Sequence, residues 1–383
     1  MIYLDNAATT RVAPEVFAAM TPFLQNEYGN PSSVYALAGR SAAALQQARQ
    51  AVADSIGARP DEVIFTGGGS EADNLAIKGT MRKFGDGHMI TSPIEHHAVL
   101  HTCRALTDEG YELTVLPVDG SGLVDPEDVR RALRPDTRLV TVMHSNNEVG
   151  TLEPIAEIAA IAREAGAKLH TDAVQSLGKV PLDVGELGVD FAAFSAHKLH
   201  GPKGVGALYV RKGFRPVPLI EGGGQEHRLR AGTENVPGIV GFGRAVELAA
   251  ELGTEPVERM RALRDRLIAG VMAEIPEVIV SGHPELRLPN IAGFLFRYIE
   301  GEGILLSLDM QDIAASSGSA CTSGSLDPSH VLLAMGYSHE VAHGSLRLSL
   351  SRYTTDEEID RVLEVLPPII QRLRNMSPLY PRQ

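Results

Sequence analysis

The chain has 383 residues, of which 44% are hydrophobic, 22% charged and 5% aromatic; this is globular material with enough apolar surface for a large core, not a disordered or fibrous composition. At roughly 150 residues per domain, the length predicts two or three domains, or one large domain with an appendage. Lys and Arg number 35 against 48 Asp and Glu, a formal net charge of −13, and so acidic a surface argues against nucleic acid as a partner.

The N-terminus, MIYLDNAATTRVAPE, has no basic stretch followed by an apolar one, so no secretory signal is expected. No apolar run approaches the roughly 18 residues of a membrane-spanning helix. The two cysteines, Cys103 and Cys321, are too few for a disulfide scaffold. A soluble protein of the reduced cytoplasm, with no membrane partner, is the expectation.

In chain order, Leu45, Ala48, Val52 and Ile56 predict a helix from residue 41 that stops at Gly57. The apolar run Val63-Ile64-Phe65 follows and ends in the glycines of TGGGSEADNLAIKG (66–79). Strands over 88–91, 111–116 and 138–143 then alternate with helices over 96–108, 125–133 and 154–165, and strands at 167–171, 189–194 and 205–210 come next. This alternation predicts an α/β fold, a mostly parallel sheet covered by helices on both faces. Ligands of such sheets sit at the carboxyl ends of the strands.

Farther on, a charged amphipathic helix (255–273) leads to strands near 277–281 and 291–296, a small-residue loop at 315–325, and helices over 328–335 and 355–374. These predict a smaller α+β unit. The expected division is a large domain, 13–250, and a small domain of 1–12 with 251–383 that carries a mobile loop at 315–327. No solenoid-length repeat or low-complexity tract is present.

The chemistry-bearing residues fall at the ends of predicted strands. In FSAHKLHGPKG (194–204), Lys198 follows a buried strand and is flanked by small residues. Partial desolvation there would free its amine as a nucleophile. Lysine forms Schiff bases with carbonyl compounds, notably pyridoxal phosphate (PLP), whose sites pair that lysine with an acid at the ring nitrogen. An ordinary solvated loop lysine is the alternative. Asp172, ending the strand in AKLHTDAVQS (167–176), supplies such an acid or else a helix cap. Gln175 could reach the ring's phenolic oxygen. TGGGSE (66–71) lies between strand and helix, where unpaired N–H groups attract anions; there Gly69 lets the backbone approach and Ser70 adds a hydroxyl.

In IEHHAVLH (94–101), His96 stands where it could stack on a planar ring, while His97 and His101 lack an acidic third ligand, so no resident metal is expected. Arg347, among Leu346, Leu348 and Leu350, reads equally as a carboxylate anchor or as a structural salt bridge. Cys103 sits on an apolar helix face and reads as packing. Cys321 lies among serines and glycines in SSGSACTSGSLDPSHVL (316–332), the composition of a flexible tether, and such a thiol could reach a buried substrate and then swing out to a partner.

Taken together, LDNAATT (4–10), NPSS (30–33), SAHK (195–198), GGGQEHRLRAGTEN (222–235) and SSGSACTS (316–323) resemble the cysteine desulfurases of the NifS/IscS type, PLP enzymes of the fold-type-I class V aminotransferase group. The similarity runs from about residue 2 to 378, and the SSGSAC segment resembles the long-loop subgroup. The resemblance implies that Lys198 carries PLP, His96 stacks on its ring, Asp172 meets the pyridine nitrogen and Gln175 the phenolic oxygen. It further implies that Gly69, Ser70, Ser195 and His197 hold the phosphate, with Thr233 reaching across from the second subunit of a homodimer. Asn147, in SNNEVG (145–150), and Arg347 would bind L-cysteine, Cys321 would accept its sulfur, and His96 would handle the substrate thiol's proton. Ser70 stands where many relatives have Thr, which keeps the hydroxyl. The chain ends soon after NMSPL (375–379), short of the tail with which IscS-type members dock a scaffold. The acceptor is thus open between an iron–sulfur scaffold and another protein.

Overall fold

β-Branched and aromatic runs buried on both faces form the middle of the fold, because every backbone group there finds a partner in a neighbouring strand. The computed structural model describes residues 1–317 and 327–381. Its strands are β1 (Ile2–Tyr3), β2 (Val63–Thr66), β3 (His88–Thr91), β4 (Glu112–Val115), β5 (Thr137–Thr141), β6 (Lys168–Asp172), β7 (Phe191–Ser195), β8 (Gly206–Val210), β9 (Val278–Val280), β10 (Ile291–Phe296), β11 (Ile313–Ala314) and β12 (Ser345–Ser349). The main sheet runs β2-β8-β7-β6-β5-β3-β4. Only β8 opposes its neighbours, so the sheet is mostly parallel, as the alternating pattern predicts. Helices α1 (Pro14–Gln25), α2 (Ala36–Ser55), α3 (Gly69–Phe84), α4 (His97–Asp108), α5 (Pro126–Ala132) and α6 (Ile155–Glu164) belong to this part of the chain.

The helix Val236–Leu252 has no counterpart in the sequence reading, because its glycines look like breakers. They are instead close-packing positions. A Cβ at Gly241 would stand 2.7 Å from Met20 Sδ of α1, and one at Gly243 would stand 2.7 Å from the Cα of Ala48 on α2. Helix α1 is unpredicted for a related reason, with Pro14 at its start and Pro22 inside it.

A second core lies under the antiparallel sheet β12-β10-β9, where Phe294, Phe296, Leu346 and Leu348 meet apolar faces of the helices Glu255–Glu274 and Asp356–Met376. Leu4 packs into this core. Beyond it the N-terminal segment crosses to the main sheet. Asp5 bridges Ser349 of β12, whereas Thr10 N and Oγ1 both donate to His197 O, at 3.0 and 2.8 Å. The segment 4–10 is therefore a strap between the two cores, laid across the strand ends. Among the described residues, no helix is long and apolar enough to cross a membrane.

Candidate active site

One cavity opens at the carboxyl ends of β6 and β7, and the strap forms part of its wall. Of the residues singled out by sequence, it brings together Gly69, Ser70, His96, Asn147, Asp172, Gln175, Ser195, His197, Lys198 and Arg347. Thr233 lies apart, on an exposed segment. Cys321 lies outside the described residues, as do the neighbouring positions 318–326.

At one end is an anion cradle. Gly206 of β8 is the register partner of both Thr66 and Ser195, which sets the glycine turn after β2 beside the lysine turn after β7. A Cβ on Gly206 would stand 2.7 Å from the backbone of Gly68, and one on Gly69 would stand 2.6 Å from Val174 Cγ2. Both glycines let the chain approach where a side chain would not. Gly68 has φ 152°, a conformation that favours glycine. The first N–H groups of α3 therefore face the opening lined by Ser70, Ser195, His197 and Lys203, with the helix dipole adding positive potential.

Lys198 is half-buried, and its Nζ donates to the carbonyl oxygens of Ala7 and Ala8 on the strap, both at 2.6 Å. That geometry replaces the solvated-loop reading: the amine is held against the strap in the cavity wall. Burial, then the Lys198 charge, push the His197 imidazole down to about 4, so it is neutral, with Nδ1 3.1 Å from Thr9 Oγ1.

The other end is acidic. Asp172 is buried at the end of β6, and its Oδ1 accepts from Val174 N at 2.9 Å; a turn and not a helix follows it, so the helix-cap alternative does not apply, and the carboxyl lines the cavity. Burial raises its pKa, against the pull of the Val174 N–H and of Lys198. Gln175 Nε2 donates to Ala7 O at 2.8 Å, and its Oε1 is buried without a partner.

His96 caps α4, its Nδ1 accepting from Ala98 N at 3.1 Å. Burial, then the Lys198 charge, lower its pKa to about 4. The ring is thus neutral with its proton on Nε2, a donor toward the cavity. The proton-accepting role expected of His96 would require this tautomer to invert.

At the substrate side, both readings of Arg347 apply together. Its Nη2 pairs with Asp5 at 2.9 Å, its Nη1 donates to Asn147 O at 2.8 Å, and its Nε is buried without a partner. The sequence reading missed Asp5, the carbonyls of Ala7 and Ala8, and Asp73, which also lines the cavity. Asp73 lies three residues after Ser70, one turn along α3, and that spacing was the available signal. Outside the cavity, the Cys103 thiol is fully buried and pushed up to about 12 by desolvation, as packing demands. His97 stacks against His101 at 4.7 Å and meets His330 at 4.6 Å. Among the described residues no His, Cys, Asp or Glu cluster is arranged as a metal site.

The cavity fits one kind of cofactor. It offers a backbone cradle for a dianion, a primary amine, a buried carboxyl for a ring cation and a neutral imidazole at the wall, with the orphaned Oε1 of Gln175 awaiting a polar partner. The model of the class-V aminotransferase family matches residues 2–362, and the chain belongs to that family. It is 53% identical to the cysteine desulfurase IscS of Methanosarcina thermophila, covering 100% of this chain and 95% of that protein. Among solved structures, a NifS-like protein superimposes with a TM-score of 0.91 at 39% identity, over 97% of this chain and 100% of the other. SspA in complex with cysteine gives 0.81 at 38% identity, over 93% and 100%. Within the family the chain sits in the NifS/IscS branch of cysteine desulfurases, whose cofactor is PLP.

Proposed function

We propose that this protein is a PLP-dependent cysteine desulfurase that converts L-cysteine to L-alanine and passes the sulfur, through Cys321, to an acceptor protein. The observation that carries the reading is the cavity in which Lys198, Asp172 and the α3 cradle converge. The likeness to IscS and to a structure holding cysteine adds the substrate.

Lys198 would hold the cofactor covalently, the α3 N–H groups with Ser70, Ser195 and His197 its phosphate, Asp172 its ring nitrogen and Gln175 its phenolic oxygen. When bound, PLP supplies an electron sink for charge developing at the substrate Cα. The substrate carboxylate takes the guanidinium of Arg347, sharing or displacing Asp5, and Asn147 flanks it. Lys198 Nζ, freed once the substrate's amine takes its place, would take the Cα proton as a positioned base. Neutral His96 donates from Nε2 toward the sulfur. The thiolate of Cys321 attacks the substrate Sγ: a sulfur–sulfur bond forms as Cβ–Sγ breaks, and that electron pair stays with the carbon skeleton, which leaves as alanine after protonation.

A homodimer completes the site in this proposal, with Thr233 of each subunit serving the other's phosphate. Its support is the exposure of Thr233 and of the apolar Phe17, Leu24, Tyr28, Val34 and Tyr35 on and after α1. A cytoplasmic setting and an iron–sulfur scaffold or other sulfur-acceptor partner belong to the same proposal.

Two variants test it. The wild type is expected to absorb in the visible through its bound cofactor, and Lys198→Ala to lose that band together with all turnover. Cys321→Ser is expected to keep the band while sulfide release from cysteine falls by about three orders of magnitude, as for loss of a nucleophile. A colourless wild type rejects the cofactor assignment. Desulfuration that survives Cys321→Ser replaces sulfur transfer with direct elimination, and dependence on a keto acid would indicate an aminotransferase.

A further inference from the structure

Behind Asp172 lies a second buried carboxyl that the mechanism above does not use. Asp73, on α3, is 1% exposed. Its Oδ1 makes no hydrogen bond and lies 3.4 Å from His170 Nε2, which is also buried and unpartnered. His170 stands two residues before Asp172 on β6, so both side chains project from the same face of the strand, the face toward which Asp73 is turned. The other ring nitrogen is committed, with His170 Nδ1 2.8 Å from Thr141 Oγ1 at the end of β5.

We propose that Asp73 is a positioning residue: it carries a proton on Oδ1 and donates it to His170 Nε2, so that the pair forms an uncharged backing that leaves Asp172 as the anion presented to the cofactor's ring nitrogen. One proton placed there accounts for both orphaned atoms. Asp73 O–H donates to the lone pair of Nε2, and His170 Nδ1–H donates to Thr141 Oγ1. The arrangement of equal net charge, an imidazolium facing a carboxylate, would set a second anion beside Asp172.

The surroundings favour the uncharged form. Asp172 accepts an N–H and feels Lys198, whereas Asp73 accepts none. The groups facing Asp73 are Asp172 and His170 from β6, Glu95 after β3 and Cys103 from α4. Burial raises Asp73 well above the carboxylate range, and the charges of Asp172 and Glu95 raise it further. Burial pushes His170 down to about 3.

The inference rests on the PLP reading for its purpose, but its hydrogen bond is testable without the cofactor. In the full chain labelled at histidine with ¹⁵N, His170, identified by its loss in His170→Gln, should remain neutral with the proton on Nδ1 from pH 5 to 9. An imidazolium titrating in that range overturns the proposal. In the second arm PLP affinity is measured. Asp73→Asn, whose amide N–H replaces the donated bond, should stay within about threefold of wild type, and Asp73→Leu should lose roughly tenfold. Asp73→Asn as weak as Asp73→Leu would show that an ionised carboxyl is needed, and Asp73→Leu binding like wild type would show that Asp172 does not depend on its neighbour. Either result sinks the proposal. If Asp73→Leu fails to fold, the Asn variant and the imidazole spectrum decide. A wild type that binds no PLP rejects the functional reading instead, while the spectrum still judges the Asp73–His170 bond.

Discussion

The two ends of the cavity are built on opposite plans. The cradle end draws its positive potential from backbone N–H groups, with Lys203 beside them, and little of it depends on a single side chain. The ring-nitrogen end is lined by the side-chain acids Asp172 and Asp73, with Glu95 buried near them, and all three are raised by burial. A backbone cradle is fixed by the fold and costs nothing extra to desolvate. Of the three acids, the one held as an anion, Asp172, is costly until a cation arrives. A ligand that is anionic at one end and cationic at the other therefore pairs with the cradle and offsets the Asp172 charge, and the two ends should fail in distinguishable ways.

The largest effect is expected at the acid end. Asp172→Ala removes a charge-assisted contact that no neighbour can replace, and cofactor affinity should fall about a hundredfold. The loss should be the same for PLP and for pyridoxal, which lacks the phosphate. Gly69→Ala tests the cradle: its new Cβ meets Val174 Cγ2 at 2.6 Å and must push the N–H groups out of line. PLP affinity should drop roughly tenfold while pyridoxal binding stays put. Equal losses of both ligands in Gly69→Ala would erase the division between the ends.

The same contrast explains what was legible in the sequence. The cradle could be read because its glycines carry a backbone signature between a strand and a helix, and Lys198 and Asp172 because both follow apolar runs. The parallel sheet was legible for the same reason, since each β-branched run stands between two helical ones. Asp73 was not, because an acid within a helix looks like a solvated face until β6 is seen to lie under it. The Asp5–Arg347 pair spans 342 positions, and no local pattern announces such a contact. The helix Val236–Leu252 was hidden by glycines whose purpose is to admit Met20 and Ala48.

The smallest expected effect is on stability against pH, and its sign should differ between a buried acid and a buried amine near the cavity. Burial raises Glu95 from 4.5 to about 8. Below pH 4.5 it is protonated whether folded or not. As pH rises toward 8 the unfolded chain releases that proton and the folded one holds it, so stability drains away across that window. Glu95→Gln cannot ionise, and its melting temperature should gain a few degrees on the wild type between pH 5 and 8. Lys179, beside Lys198, is lowered from 10.5 to about 7 by burial. Its contribution is complete above 10.5 and is lost as pH falls to 7, because the unfolded chain takes up the proton first. Lys179→Met should thus gain on the wild type as pH is lowered from 10 to 7, the opposite direction to Glu95→Gln. Thermal melts of the three proteins across that range measure it, and parallel curves would mean that burial shifts neither Glu95 nor Lys179.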